Sequence, residues 1–505
     1  MMSSERDTPS FIQRVNQWEQ FVSGKPLKRI SKHEVLNKTT SIACLSLSIL
    51  AGIVAVNDEI VIYGGIAPTG LLFSIAAGFA MFLLSWCILI SVLKGTIFKS
   101  TFNALLGIIA ASSIMFLCHW LLEFILIEAR WGVVWASRVQ LFAGHEMNFF
   151  MAVEGQTNQM WRLWSSLFVL TSTICIAYGT SGISARRFGL YYTTLTLILI
   201  SFAWYPENQN YEPFWPIVKI CGCSVLGLVA FMVSRWYCER SEEFQINKLK
   251  KLTAILGIFT FFFSLFVMNP PDSVVERGLM EEGIEPALWG GLFVNLVLAT
   301  AGGVLGLGIG VVLAFGRQSN LPIFKWPSTM LIEIVRAGPM VAWLYFAKYL
   351  LEDVIVPFSD ADSIMRTLFM FAFFGGCYTA EILRGGIQSI NSGQIEAATA
   401  LGMNPNQIKT TVILPNAVRT TLPSLVSLLI GLWKDTTLIF IIGIFDFFKI
   451  AKDLPTTDLE FALDIMEPLY LAAFVFWIIA FYLSRISLGI EKNLGLKSTT
   501  GGEMT

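Results

Sequence analysis

Lys434-Asp435-Thr436-Thr437 places a cation, an anion and two hydroxyls in consecutive positions, inside a run from 418 to 445 that is otherwise mostly apolar. Charges at the centre of a bilayer cost roughly 2.5–3.5 kcal/mol each on insertion scales, so they persist where they have a partner or a task. A zwitterionic ligand needs one cation, one anion and nearby hydroxyls, and the tetrad carries all of these. Neighbouring residues on a regular helix point about 100° apart. Both charges therefore face one ligand only if the helix breaks there, as helices at transport sites often do. The plainer alternative is a buried polar hinge that binds nothing. Arg336 is a further candidate, with Glu333 three residues before it on the same helix face. That spacing equally suits an internal ion pair. Glu381 and Arg384 repeat it near the end of another apolar run and read as a structural pair.

A different chemistry lies at 396–415, EAATALGMNPNQIKTTVILP, which is too polar to cross a bilayer. Ala397, Ala398, Ala400 and Leu401 favour a helix. Gly402 stands where a left-handed cap would end it. Asn404 caps a second helix, Pro405 suits its first position, and Gln407 completes a capping box. Pro415 closes the unit. The spacing predicts two short helices around a glycine turn: a protruding knob suited to docking, or else an ordinary polar loop.

The elements that must position these residues are membrane helices. The chain has 505 residues, of which 55% are hydrophobic and only 14% charged; its mean hydropathy is +0.65. Soluble domains carry roughly 25% charge. Runs of about 20 apolar residues occur at 41–57, 68–93, 102–127, 163–180, 188–205, 214–234, 252–268, 288–315, 327–350, 365–386, 418–445 and 466–484. Twelve spans are expected in an all-α polytopic membrane protein. With the polar arm 1–40 in the cytoplasm, the cytoplasmic segments hold 24 Lys and Arg and the outer segments six. This split predicts both termini inside and the 396–415 knob on the cytoplasmic face. The Pro/Gly/acid stretch 268–290 reads as the link between an N-terminal region of seven spans, 41–270, and a five-span unit, 285–495. The arm lacks the early apolar stretch of a signal peptide. A net charge of −1 gives no reason to expect nucleic-acid binding, and eight scattered cysteines without paired spacing suggest neither a disulfide framework nor a metal site.

Glu396-Ala397-Ala398, Gly402 after three residues, and Val412-Ile413-Leu414-Pro415 after nine more resemble the EAA loop of ABC-importer permeases, here at 390–416. The pattern is E-A-A-x3-G-x9-I-x-L-P, and only Val412 departs from it. YTAEILRGGIQSINSGQIEAATALGM (378–403), LWKDTTLIFIIGIFDFF (432–448) and the span 287–317 are similar to the polar amino-acid uptake subfamily. The long N-terminal region is similar to one permease type of general L-amino-acid importers. RAGP (336–339) departs from that subfamily's usual R-G-x-P.

The resemblance implies a five-helix permease core at 285–495, in the inner membrane of a bacterium. The EAA loop would be the coupling helix, with Glu396, Ala397, Ala398, Gly402, Leu414 and Pro415 seating a separate ATP-binding subunit. A second permease, copy or paralogue, would complete the path, and a periplasmic or extracellular binding protein would deliver the amino acid. ATP would bind the partner, since EKNLGLKST (491–499) lacks the G-x4-G-K spacing. The chain itself is expected to need no cofactor or metal and to hold no catalytic residue. Arg336, Lys434, Asp435, Thr436 and Thr437 are the candidates for the substrate path.

Two other classes compete. GTSG (179–182) matches the G-x-S-G of rhomboid-type intramembrane proteases, with His119 in another span as a conceivable base. Ser181, however, falls where the chain leaves the membrane. An ion-coupled carrier or channel would also use acids within spans, but it gives the 396–415 knob no purpose. Only His33, His119 and His145 occur, without a metalloprotease H-E-x-x-H.

Overall fold

The computed structural model describes residues 124–144, 160–181, 184–204, 214–355, 361–457, 461–462 and 464–493, with scattered positions between 46 and 121. The arm 1–40 and most of the expected spans 41–57, 68–93 and 102–127 lie outside the described residues. The chain forms two compact units, Met1–Arg130 and Trp131–Thr505. Every element labelled below belongs to the second unit.

The long helices are α1 (Met160–Thr180), α2 (Ala185–Trp204), α3 (Phe214–Arg240) and α4 (Glu243–Met268), then α5 (Gly291–Arg317), α6 (Pro322–Ala337) and α7 (Met340–Val354). They continue with α8 (Ser363–Gln388), α9 (Ser392–Ala400), α10 (Pro405–Ile442), α11 (Phe447–Thr457) and α12 (Met466–Asn493). Among the described residues, six of these are long and apolar enough to cross a membrane, and α6 with α7 makes a seventh if counted as one span. Helices α2 and α8 stand where the spans 188–205 and 365–386 are expected.

Helices α1, α3 and α4 pack together. Arg162 ties α1 to the linker that follows α4. It is fully buried and donates to the carbonyls of Val267 (2.5 Å), Glu281 (2.9 Å) and Glu282 (3.1 Å). A cation at a helix C-terminus also meets the negative end of the helix dipole.

The centre of the C-terminal core is the α5–α8 pair, joined backbone to backbone. A Cβ at Gly375 would lie 2.6 Å from the Gly302 carbonyl oxygen, and one at Gly306 would lie 3.1 Å from the Gly376 nitrogen. Small residues allow this approach, which maximises dispersion contacts where the surrounding lipid is as apolar as the helix. Phe371, Leu298, Leu383 and Leu432 fill the core beside the seam.

Two expectations give way. The run 327–350 is not one straight span: α6 and α7 meet at 109°. Pro339 lacks an N–H and forces the preceding residue out of the helical region; Gly338 is extended (φ −95°, ψ 148°). The indole N–H of Trp343 donates to the Val335 carbonyl at 3.0 Å and braces the elbow. Nor does Pro415 close a short helix. The chain runs from Pro405 through a π-helical stretch, Ile408–Ile413, straight into Leu414–Asp435. The ring of a helical proline crowds the i−4 carbonyl, and here a wide π turn immediately precedes it.

Candidate functional site

The knob at one end of the core is built by local sequence. Asn391 caps α9, its side chain accepting from the Gly393 amide at 2.9 Å. Gly402, at φ +77°, ends α9: its amide donates to Thr399 (2.9 Å), and that of Met403 donates to Ala398 (3.2 Å). These are the paired bonds of a Schellman turn. Asn404 and Gln407 form a complete capping box at the start of α10, at 2.9 and 2.8 Å. Asn416 donates to the Gln394 side chain at 3.2 Å and pins the two arms together.

On this frame Ala398 is 5% exposed and faces inward. Glu396, Ala397 and Gly402 face solvent, and Pro415 is exposed while Leu414 is half-buried. Leu401 is 82% exposed. A large apolar side chain held out at the tip of a capped turn is a docking feature that propensity alone did not single out: as a helix former, Leu401 carried no special signal.

The loop-proximal ends of α5, α6 and α8 meet in five charges. Glu381 accepts at Oε1 from Arg384 Nε (3.0 Å) and Nη2 (2.5 Å). At Oε2 it meets Arg317 Nη1 (3.0 Å) and Arg336 Nη1 (3.3 Å). Arg317 Nη2 also grips Glu333 at 2.8 Å. Arg336 therefore pairs with Glu381 across helices and not with Glu333, whereas the expected Glu381–Arg384 pair is present. Each of these partners is either in place along its own helix or supplied by another; Arg317 and Glu381 emerge as the cross-links, and no local spacing indicates them.

The opposite end of the core holds 434–437. At Thr436 the helix α10 changes from α to 3-10 geometry, and Gly443 (φ +83°) ends it. Lys434 is exposed and, among the described residues, has no ion-pair partner; Asp435 is half-buried. Thr437 donates to the Lys434 carbonyl (2.8 Å). Thr436 is fully buried; it donates to Trp433 O (2.8 Å) and accepts from Asn295 Nδ2 (3.0 Å). Asn295 also donates to Asp446 Oδ2 (3.2 Å) and accepts from the Phe447 amide (3.0 Å). Asp446 in turn accepts from the amides of Phe448 (3.3 Å) and Lys449 (2.9 Å) at the start of α11. Burial pushes the Asp446 carboxyl up to about 6, against these hydrogen bonds.

The tetrad thus splits, with Thr436 turned into this polar knot and Lys434 turned out. Asn295 lies one turn into α5, so the tetrad stands near the end of the core and not at its middle. Arg336 is elsewhere: at 1.5 Å per residue, Asn295 and Arg317 are about 33 Å apart along α5, and Arg336 shares the Arg317 end.

The competing protease reading has no support in the geometry. Ser181, at the end of α1, is exposed and its hydroxyl donates to the Tyr178 carbonyl (2.7 Å); His119 lies outside the described residues.

Residues 306–494 match the family described as binding-protein-dependent transport system inner membrane component. The chain is 29% identical over 374 residues to the glutamate/glutamine/aspartate/asparagine transport system permease protein BztC of Rhodobacter capsulatus, covering 73% of this chain and 82% of that one. It is 35% identical over 218 residues to the inner membrane amino-acid ABC transporter permease protein YhdY of Escherichia coli, covering 43% of this chain and 59% of that one. Against the L-cystine transport system permease protein TcyB of Bacillus subtilis it is 30% identical over 234 residues, covering 46% of this chain and 97% of that one. The first match is longer than the whole 285–495 unit and so takes in part of the N-terminal region. The chain is a translocation subunit and neither a protease nor a carrier: it belongs to the family of binding-protein-dependent transport system inner membrane components.

Proposed function

We propose that the chain is the permease of an ATP-driven importer of L-amino acids and that the 390–416 knob is its seat for a separate ATP-binding subunit. The observation that carries this reading is the knob itself: two capped arms around Gly402 that hold Leu401 in solvent. ATP binds the partner chain, and a rigid knob is the lever through which its closure moves the membrane helices. The 24 to six division of Lys and Arg supports a cytoplasmic knob with both termini inside a bacterial inner membrane. The relatives named for amino acids support the substrate class. A second permease and an amino-acid-binding protein outside the membrane complete the system.

One face of α10 supports the path. Thr420, Ser424, Ser427 and Lys434 are all exposed and recur at helical spacing, so a hydrophilic stripe runs along a membrane helix. Such a stripe is costly against lipid; it suits a water-filled path or the second permease. Lys434 with Asp435 at its end would meet the carboxylate and ammonium of the substrate.

Asp435→Asn keeps shape and hydrogen bonding but removes the charge. In vesicles with the ATPase and binding protein present, uptake of a panel of L-amino acids is expected to fall at least tenfold while assembly persists. Uptake at the unsubstituted level by Lys434→Met/Asp435→Leu, which carries neither charge, would rule out the substrate role.

A further inference from the structure

We infer that Glu381 is a positioning residue of transport, passing the movement of the 390–416 knob to the elbow between α6 and α7. The inference rests on the reading of that knob as the ATPase seat. Glu381 lies on α8, and α8 leads through Asn391 directly into α9, the first arm of the knob. From Glu381 to the end of α8 at Gln388 is about 10 Å of helix.

The two oxygens of Glu381 have different tasks. Oε1 is held by Arg384 of its own helix, at 2.5 and 3.0 Å. This orients the carboxylate as a rigid extension of α8. Oε2 reaches the other two helices, to Arg317 at the end of α5 and Arg336 at the end of α6. Charge-assisted contacts of this kind are short and directional. Arg336 is three residues before Pro339, at the 109° bend. Its Nε is buried and without a hydrogen-bond partner among the described residues; the guanidinium lies over the Tyr378 ring at 5.5 Å, and Glu381 is its charged partner. Arg317 adds a second route to α6 through Glu333 at 2.8 Å. Three guanidinium groups surround two carboxylates, and Glu381 touches all three. A push on α9 therefore reaches the elbow most directly through this carboxylate, among the described residues the one charged group of α8 that meets Arg336. Remove its charge, and α8 still leads to the knob and still packs on α6, but the charged tie from α8 to the elbow is lost.

The test uses the assembled importer in vesicles, with spin labels at Lys325→Cys in the first turn of α6 and Gly385→Cys on α8, where a Cβ meets nothing within 4 Å. In the unsubstituted chain the two labels are expected to keep one narrow distance with and without trapped ATP, because the helices move together. In Glu381→Gln the distribution is expected to broaden on trapping ATP. The ATP hydrolysed per amino acid imported should rise at least tenfold, with basal hydrolysis within about twofold. Glu381→Asp should restore the ratio to within about threefold. An unchanged ratio and an unchanged distance in Glu381→Gln would overturn the inference. If that variant fails to accumulate, Glu381→Gln/Arg336→Gln, which removes one charge of each sign, takes its place. Tight coupling in the double variant would overturn the inference just as well, and a tenfold loss of coupling would support it. A knob that binds no ATPase in the unsubstituted chain would instead reject the reading of the seat, and the inference with it.

Discussion

Truncating Leu401 isolates what the knob contributes to docking. Leu401→Ala removes three side-chain carbons, worth about 0.8 kcal/mol each when fully buried, or about 2.4 kcal/mol. At 82% exposure in the free chain, nearly all of that surface is still available to a partner, so seating it in a groove contributes about 2 kcal/mol. At 1.4 kcal/mol per factor of ten, the alanine variant should bind the ATP-binding subunit about 30-fold more weakly. The permease itself should be unaffected, because exposed substitutions away from special features change stability by roughly 0.5 kcal/mol or less. Gly402 and the two caps, which hold the turn, remain in place. The assay is titration of the purified ATPase onto detergent-solubilised permease, with thermal melting of the permease alone as the control. Leu401→Met, similar in volume and apolar, should stay within about threefold of the parent chain. If Leu401→Ala binds the ATPase within about twofold of the parent, the tip does not enter the partner and the docking argument fails.

Two further outcomes follow from the core. Gly375→Leu puts side-chain atoms where a Cβ alone would lie 2.6 Å from the Gly302 carbonyl oxygen. The α5–α8 seam must open, at a cost beyond the roughly 1–3 kcal/mol of ordinary overpacking, so size-exclusion chromatography should find little monodisperse protein; Gly385→Leu on the same helix should behave as the parent chain. The buried Asp446 carboxyl, at about 6, binds its proton in the folded chain at a pH where an unfolded carboxyl near 3.9 has lost it. The folded state therefore holds the extra proton between about pH 4 and 6. Its contribution is full below pH 4 and is lost as pH rises through 6, by about 3 kcal/mol at 1.36 kcal/mol per unit. The difference in melting between the parent chain and Asp446→Asn should change across that window and be flat above pH 7; a difference independent of pH from 4 to 7 would refute the buried-acid account.

The knob was legible because its signals are contiguous. Gly402, Asn404 and Gln407 act on backbone groups within four residues, so their types and spacing decide the geometry without help from the rest of the fold. The membrane helices were legible for the same kind of reason, since each satisfies its own backbone and advertises itself as an apolar run. Pro415 misled because its local message is to end a helix, and the π turn that lets α10 continue has no residue signature of its own. Glu333 and Arg336 shared a face as their spacing requires, yet their partners came from α5 and α8, which no spacing on α6 can reveal. Asn295 and Asp446 did carry a signal: each is an isolated polar residue in a strongly apolar stretch, and such residues are seldom without a function or a partner.

The two ends of the core differ in a way that bears on how the chain moves. The charge cluster and the Asn295–Thr436–Asp446 knot are joined by α5, about 33 Å of unbroken helix between Asn295 and Arg317. Helix α5 is seamed to α8 by glycines whose neighbours leave no room for a methyl group. Packed interfaces of this kind do not deform continuously, so the seam behaves as a fixed strut. The breaks lie elsewhere. One is the elbow at Gly338–Pro339, beside Arg336. The other is the change from α to 3-10 geometry at Asp435–Thr436, beside Lys434. Each break sits next to an ionisable residue, and the two lie at opposite ends of the strut. Alternating access needs two gates that open at different times about a scaffold that moves as one body, and broken helices supply the hinges. The elbow, tied to the knob through Glu381, is placed to move with the ATPase. The 435–436 break is instead tied to Asn295 and Asp446, at the other end of the strut.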